Sequence, residues 1–117
     1  IINKLKPKLK EPKFIINVTS LEGMFNHAKT DKHPHTNMCK SAMNMLIRTL
    51  AEENDKDLYV YAINPGYVSG VCPQQSRYAI GLNDGASRII YPIVRHNLGH
   101  PLTKDYMVMH NYKPCNW

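Results

Sequence analysis

Two short apolar runs, K-F-I-I-N-V over residues 13–18 and L-Y-V-Y-A-I over 58–63, set the terms for any fold this chain adopts. Both are rich in β-branched and aromatic side chains and lack a clear polar alternation, which suits strands buried on both faces of a parallel sheet. The first runs into Thr19-Ser20-Leu21-Glu22 and ends by Gly23. The second is closed by Asn64-Pro65-Gly66, a turn-forming string.

Between them the pattern turns helical over residues 36–53. Met38, Ala42, Met45, Leu46, Thr49 and Leu50 recur at spacings of three and four, with Lys40, Asn44, Arg48 and Glu52 between them. Pro34 lies just ahead, where proline is tolerated at a helix start. Residues 24–35 are polar and read as a loop, and Asn54-Asp55-Lys56-Asp57 as a turn. Residues 67–82 lack periodicity and carry Gly70, Pro73 and Gly81, so they read as an irregular loop.

Asn83-Asp84-Gly85 introduces a helix to about His96, with Ala86, Ile89, Ile90 and Ile93/Val94 on one side and Pro92 kinking it or lying near its end. A third strand is expected over 104–109 and coil over 112–117. Residues 1–11 read as the end of a basic helix, interrupted at Pro7 and stopped by Pro12. Helix, strand, helix, strand, helix, strand is the order of an α/β parallel sheet. Three strands alone leave the edge of the first unpaired. The expectation is that strands of the same sheet precede residue 1, in keeping with a chain that opens on Ile1 rather than methionine.

At 117 residues there is room for one domain. The net charge is +6, and Lys4, Lys6, Lys8, Lys10 and Lys13 crowd the start. Such a run attracts acidic partners, but no aromatic residue interleaves to stack on bases, so nucleic acid is not the expected partner. Cys39, Cys72 and Cys115 are an odd set without a C-x-x-C pair, which argues against a disulfide framework or zinc site and for a reducing, cytoplasmic setting. No run reaches the roughly 18 apolar residues of a membrane span.

The carboxyl ends of parallel strands are where ligands bind in open α/β sheets. Ser20 closes one strand, Asn64-Pro65-Gly66 closes the next, and Lys40 opens the helix between them, so the three can converge. A serine hydroxyl there can hydrogen-bond a carbonyl or hydroxyl, and a lysine a ribose or phosphate. The alternative is that Ser20 caps a turn and Lys40 is a solvated helix lysine.

These segments resemble the short-chain dehydrogenase/reductase family. N-V-T-S-L-E-G over 17–23 is similar to that family's strand end N-[IV]-[ST]-S-x-x-G, and T-N-M-C-K over 36–40 to its Tyr-x-x-x-Lys segment. I-N-P-G-Y-V over 63–68 is similar to its V-x-P-G-x-V stretch. Asp84-Gly85-Ala86-Ser87-Arg88 and Lys104-Asp105-Tyr106 resemble its last helix and strand. The string H-P-H-T-N-M-x-K resembles an atypical subgroup with threonine at the tyrosine position.

The resemblance implies the carboxyl-terminal half of a Rossmann-like, doubly wound parallel sheet, with residues 1–117 forming part of a single domain. It implies Ser20 as the substrate hydrogen-bonder and Lys40 as the ribose contact. Asn64, Pro65, Gly66 and Val68 would lie along nicotinamide. Thr36 stands at the acid–base position. A phenol near pKa 10 can be drawn toward neutrality by a lysine, whereas an aliphatic hydroxyl lies several units higher. The family's Gly-rich pyrophosphate turn is missing from residues 1–117, so NAD or NADP would bind only with an upstream half or complementary chain. The implied function is an NAD(P)-dependent oxidoreductase-like domain, or a pseudoenzyme of the same fold kept as a binding or assembly surface. The family also implies self-association through the helix over 36–53.

Other residues carry weaker signals. His27, His33 and His35 with Asp31 could hold a metal but match no familiar spacing, so they read as loop histidines and no metal is expected. Met38, Met43 and Met45 read as packing. Cys39 reads as a buried helix cysteine, with a lowered thiol pKa beside Lys40 as the alternative. Trp117 could anchor the tail or a partner interface.

Overall fold

A computed structural model describes residues 2–53, 55–69, 78–103 and 108–117. Expectations that rested on Asn54, Gly70, Cys72, Pro73 and Lys104-Asp105-Tyr106 lie outside the described residues. The chain is α/β. Its elements are α1 (Ile2–Leu5) with a following 3-10 turn (Lys6–Lys8), β1 (Lys13–Val18), a second 3-10 turn (Leu21–Gly23), α2 (Pro34–Ala51), β2 (Leu58–Asn64), α3 (Leu82–Asn97), β3 (Val108–His110) and β4 (Lys113–Pro114).

The sheet runs β1-β2-β3-β4. β1 lies parallel to β2 from Lys13 opposite Leu58 to Val18 opposite Ile63, and β2 lies parallel to β3 with Asn64 opposite His110. The fourth strand corrects the expected coil at the tail. It returns antiparallel, with His110 opposite Lys113, through a two-residue turn at Asn111 and Tyr112 whose φ values are 50° and 64°. Left-handed residues at both turn positions match the strand twist of tight hairpins.

Two cores sandwich the sheet. On one face Val60, Ala62, Leu58 and Val108 meet Ile47 and Leu50 of α2 together with Met24. On the other, Tyr61, Ile63 and Met109 pack with Phe14, Ile16, Tyr59, Tyr91 and Leu102, and α3 covers this side. His96 of α3 sets its ring edge-on to Phe14 and Tyr59, at 5.5 and 5.0 Å between centroids.

Among the described residues, β2 is buried along nearly its whole length, whereas β1 is half-buried despite its apolar sequence. Burial on both faces does not extend to its outer edge, because β1 is the first strand in the sheet. At the amino end Lys6 pairs with Glu53, and Lys13 reaches Asp55 at 3.1 Å, so two of the five leading lysines are spent on acidic residues of the same chain.

Neither helix buries the whole apolar stripe its spacing suggests, although Leu50 of α2 is buried and Ile89 and Ile93 of α3 are half-buried. In α2 the buried residues are Asn44, Ile47 and Leu50, while Met38, Met45 and Leu46 are 67%, 53% and 42% exposed. The inward face lies against the close-packed turn at Gly23, which a larger apolar side chain at 44 would overfill. Cys39, expected inside, is exposed. In α3 the buried residues are Gly85 and Pro92, and Ile90 and Val94 face outward. Pro92 sits inside that helix rather than at its end. Among the described residues, no helix is long and apolar enough to cross a membrane.

Candidate functional site

The carboxyl ends of β1 and β2 are fastened side by side, with the Thr19 N–H donating to the Ile63 carbonyl at 2.8 Å. Ser20 follows at once, in extended backbone, at the start of the 3-10 turn Leu21–Gly23, where its carbonyl accepts the Gly23 N–H at 3.0 Å and its side chain makes no capping bond. That turn lies directly on α2. Gly23's carbonyl accepts hydrogen bonds from Asn44 Nδ2 at 3.0 Å and Ser41 Oγ at 3.3 Å. A Cβ at Gly23 would fall 2.9 Å from the carbonyl carbon of Lys40, closer than real contacts allow.

Helix α2 begins at Pro34, after His33 in a left-handed conformation at φ 57°. Proline suits the first helical turn because its missing N–H would have no partner there. Thr36 and Lys40 are one turn apart and therefore share a helix face; both are half-buried. Lys40 Nζ donates to the Val18 carbonyl at 2.9 Å, which brings the ammonium to the strand end that carries Ser20. Ser20's hydroxyl lies near Glu22 and is the chief influence holding that carboxyl below its usual range. Both polar groups already have neighbours inside the chain with which an incoming ligand must compete.

At the end of β2, Asn64 turns its side chain inward, and its Oδ1 accepts the Gly66 N–H at 2.9 Å. Its role is therefore to build the turn, and what it offers a ligand is the backbone it shapes. Gly66 sits at φ +91°, a conformation that favours glycine. Val68 bridges Ile80 and is pressed against α3, since a Cβ at Gly85 would lie 2.6 Å from Val68 Cγ2. Ser20 and Lys40 thus lie at the carboxyl end of β1, and Asn64, Pro65 and Gly66 at that of the neighbouring strand β2.

Sequence reasoning missed a polar layer beneath this edge. Thr19 Oγ1, Asn44 Oδ1, Asn64 Nδ2 and His110 Nδ1 are buried without hydrogen-bond partners. Asn64 and His110 are register neighbours, and Thr19 is tied to β2 one residue earlier. An alternation count would have put Asn17 and Thr19 on the side of α2, and the Asn17 bond to the Met43 carbonyl at 3.3 Å bears this out. Nothing in the helical spacing marked Asn44 as inward.

A cleft of about 380 Å³ adjoins the site and is lined by Glu22, Phe25, Lys29, Asn37 and Met38 among others, but not by Ser20, Thr36 or Lys40. Trp117 lies beside Phe25 of this lining. Its ring lies 6.1 Å from that of Phe25, and Asn26 Nδ2 donates to the Asn116 carbonyl at 3.1 Å, so the tail is anchored on its own chain. Among the described residues, no three His, Cys, Asp or Glu side chains are grouped to hold a metal.

The chain is 32% identical over 110 residues to an uncharacterized protein of Acanthamoeba polyphaga mimivirus, covering 80% of this chain and 23% of the viral protein. The chain therefore spans less than a quarter of that relative's length. No family model and no solved structure matches it.

Proposed function

We propose that this chain is the carboxyl-terminal half of a Rossmann-like domain of the short-chain dehydrogenase/reductase type, handling NAD or NADP together with an upstream half. The observation that carries this reading is the Lys40 ammonium at the Val18 carbonyl, at the strand end that leads into Ser20. One cation and one hydroxyl lie at the carboxyl end of β1, and a bare stretch of backbone closes the neighbouring β2, the end of a parallel sheet where ligands bind.

The residues fit the ribose and nicotinamide end of a dinucleotide and no more. Lys40 is suited to the ribose hydroxyls, and the backbone of Pro65, Gly66 and Val68 to a flat ring. The phosphates require a Gly-rich turn from elsewhere. The unpaired edge of β1 is where an upstream strand would join. The dinucleotide, when bound, supplies or accepts the hydride. Ser20 orients the substrate oxygen once it turns from Glu22. Thr36 lacks the phenol that would move a proton, a loss worth roughly 10²–10⁴-fold in rate.

A second reading is favoured by that same threonine and by the internal neighbours of Ser20 and Lys40: a pseudoenzyme that keeps the fold as a binding or assembly surface. Fluorescence titration of the complete protein with NADH and NADPH, followed by a turnover assay, separates the two. Binding with turnover supports the enzyme, binding without turnover supports the pseudoenzyme, and absence of binding overturns both. Under the enzyme reading, Lys40→Ala weakens cofactor affinity, and an unchanged affinity counts against it.

The exposed stripe of Met38, Met45 and Leu46 on α2 supports self-association through this helix. Sedimentation of the complete protein tests it. Met45→Glu should shift an oligomer toward monomer, and an unchanged distribution counts against the contact.

A further inference from the structure

We infer that Arg88 is a positioning residue: with Asp84 and Tyr112 it clamps the Asn64-Pro65-Gly66 turn, and the affinity of that turn for the nicotinamide end of a dinucleotide depends on the clamp. The inference rests on the proposed function for its ligand, but not for its geometry.

Arg88 projects from the second turn of α3 and is largely covered, its side chain 15% exposed. Its guanidinium engages two elements at once. Nε and Nη2 grip the two oxygens of Asp84 at 3.0 and 3.1 Å. Nη1 donates to the Pro65 carbonyl at 3.1 Å. The planar fork suits this division, since it satisfies a carboxylate with one edge and aims a remaining N–H elsewhere. Proline has no N–H, so its carbonyl is the one backbone handle available at 65. The turn is consequently held from inside by Asn64 Oδ1 on the Gly66 N–H and from outside by Arg88.

Tyr112 supplies the independent sign that this junction is built. It occupies a left-handed conformation at φ 64°, which bulky residues rarely adopt. Tight hairpin turns ordinarily place glycine at this second position. The tyrosine side chain is fully employed instead. Its hydroxyl donates to Asp84 Oδ1 at 3.3 Å, the Arg88 guanidinium lies 5.5 Å from its ring centroid, and the Tyr91 ring meets it edge-on at 5.0 Å. Unfavourable backbone persists where surrounding contacts over-determine it, and such positions gather at functional sites. Gly85 adds a further tie through its close approach to Val68. Three segments distant in sequence, residues 64–68, 84–88 and 112, are thereby locked to one another at the ligand edge.

The test uses the complete protein with Arg88→Lys, which keeps the charge but loses the fork, and Tyr112→Phe, which keeps the ring and removes one hydrogen bond. Two readouts are taken: amide hydrogen exchange at Gly66, Tyr67 and Val68, and dinucleotide affinity by NADH fluorescence. Loss of one charge-assisted hydrogen bond corresponds to about tenfold. Arg88→Lys should speed exchange at these amides about tenfold and weaken NADH by a similar factor, with Tyr112→Phe smaller in both. Unchanged exchange in both variants overturns the clamp. Faster exchange with unaltered NADH affinity overturns its role in binding. If the unsubstituted protein binds no dinucleotide while exchange responds, the functional proposal and the binding role fail and the clamp alone is retained.

Discussion

A methyl group on Gly23 would sit 2.8 Å from Cβ of Lys40, so the turn after Ser20 and the helix that carries the lysine meet through bare backbone. The reach of the ammonium to the Val18 carbonyl depends on that closeness. Gly23→Ala must push the turn and helix apart, which should destabilise the protein by ~1–3 kcal/mol. A urea midpoint equal to that of the unsubstituted protein would refute the contact.

Tyr61 gives the fold an alkaline limit. Its ring is buried, its hydroxyl donates to the Leu102 carbonyl at 3.3 Å, and burial pushes its pKa up to about 12. With a folded pKa above the ordinary value of 10, its contribution is complete below pH 10 and is lost as pH rises toward 12. The decline should amount to about 1–2 kcal/mol after allowance for screening at the polar end of the ring. Tyr61→Phe should flatten this part of the stability profile; an identical alkaline slope in the variant would remove Tyr61 as its cause.

Asp84 sets an acid limit of opposite sign. The hydrogen-bonded Arg88 guanidinium holds its carboxyl below the usual range, with its charge and the Tyr112 hydroxyl adding to the effect. The resulting stability is present above the ordinary carboxylate pKa and disappears as pH falls through the lowered one. Asp84→Asn should therefore be less stable than the parent at neutral pH, with the gap closing in acid. A gap that stays constant down to pH 2, an end point about two units below the ordinary value, would exclude this carboxylate.

The cysteines should differ in reactivity. Cys39 is exposed, while Cys115 is half-buried and burial pushes its thiol pKa up. With Cys72→Ser as background, maleimide should label Cys39 well ahead of Cys115, because the thiolate is the attacking form. Equal labelling rates under native conditions would contradict the described surroundings.

The strands were readable because both runs are apolar and end in turn-forming residues, signals that need no tertiary context. Ser20, Lys40 and Pro65-Gly66 could be placed at the carboxyl ends of neighbouring strands from their positions at element ends alone. The helix faces could not. In α2, Met38, Met45 and Leu46 follow helical spacing faithfully yet point outward, and Asn44 points inward because Gly23 offers it a carbonyl. Periodicity finds an apolar stripe but does not say which partner covers it. The hairpin at 111–112 was missed for a related reason: Tyr112 is held left-handed by Asp84, Arg88 and Tyr91, contacts that exist only after folding.

The outer margin of β1 has a last consequence. Apart from the Val18 carbonyl, which Lys40 occupies, its outward N–H and C=O groups form a template for an extended peptide, and little in the apolar K-F-I-I-N-V sequence beyond its leading lysine discourages stacking. Kept concentrated without a docked strand, these 117 residues carry a standing hazard of cross-β growth from that margin. Capping it with a single proline-bearing peptide would be a simple way to keep them in solution.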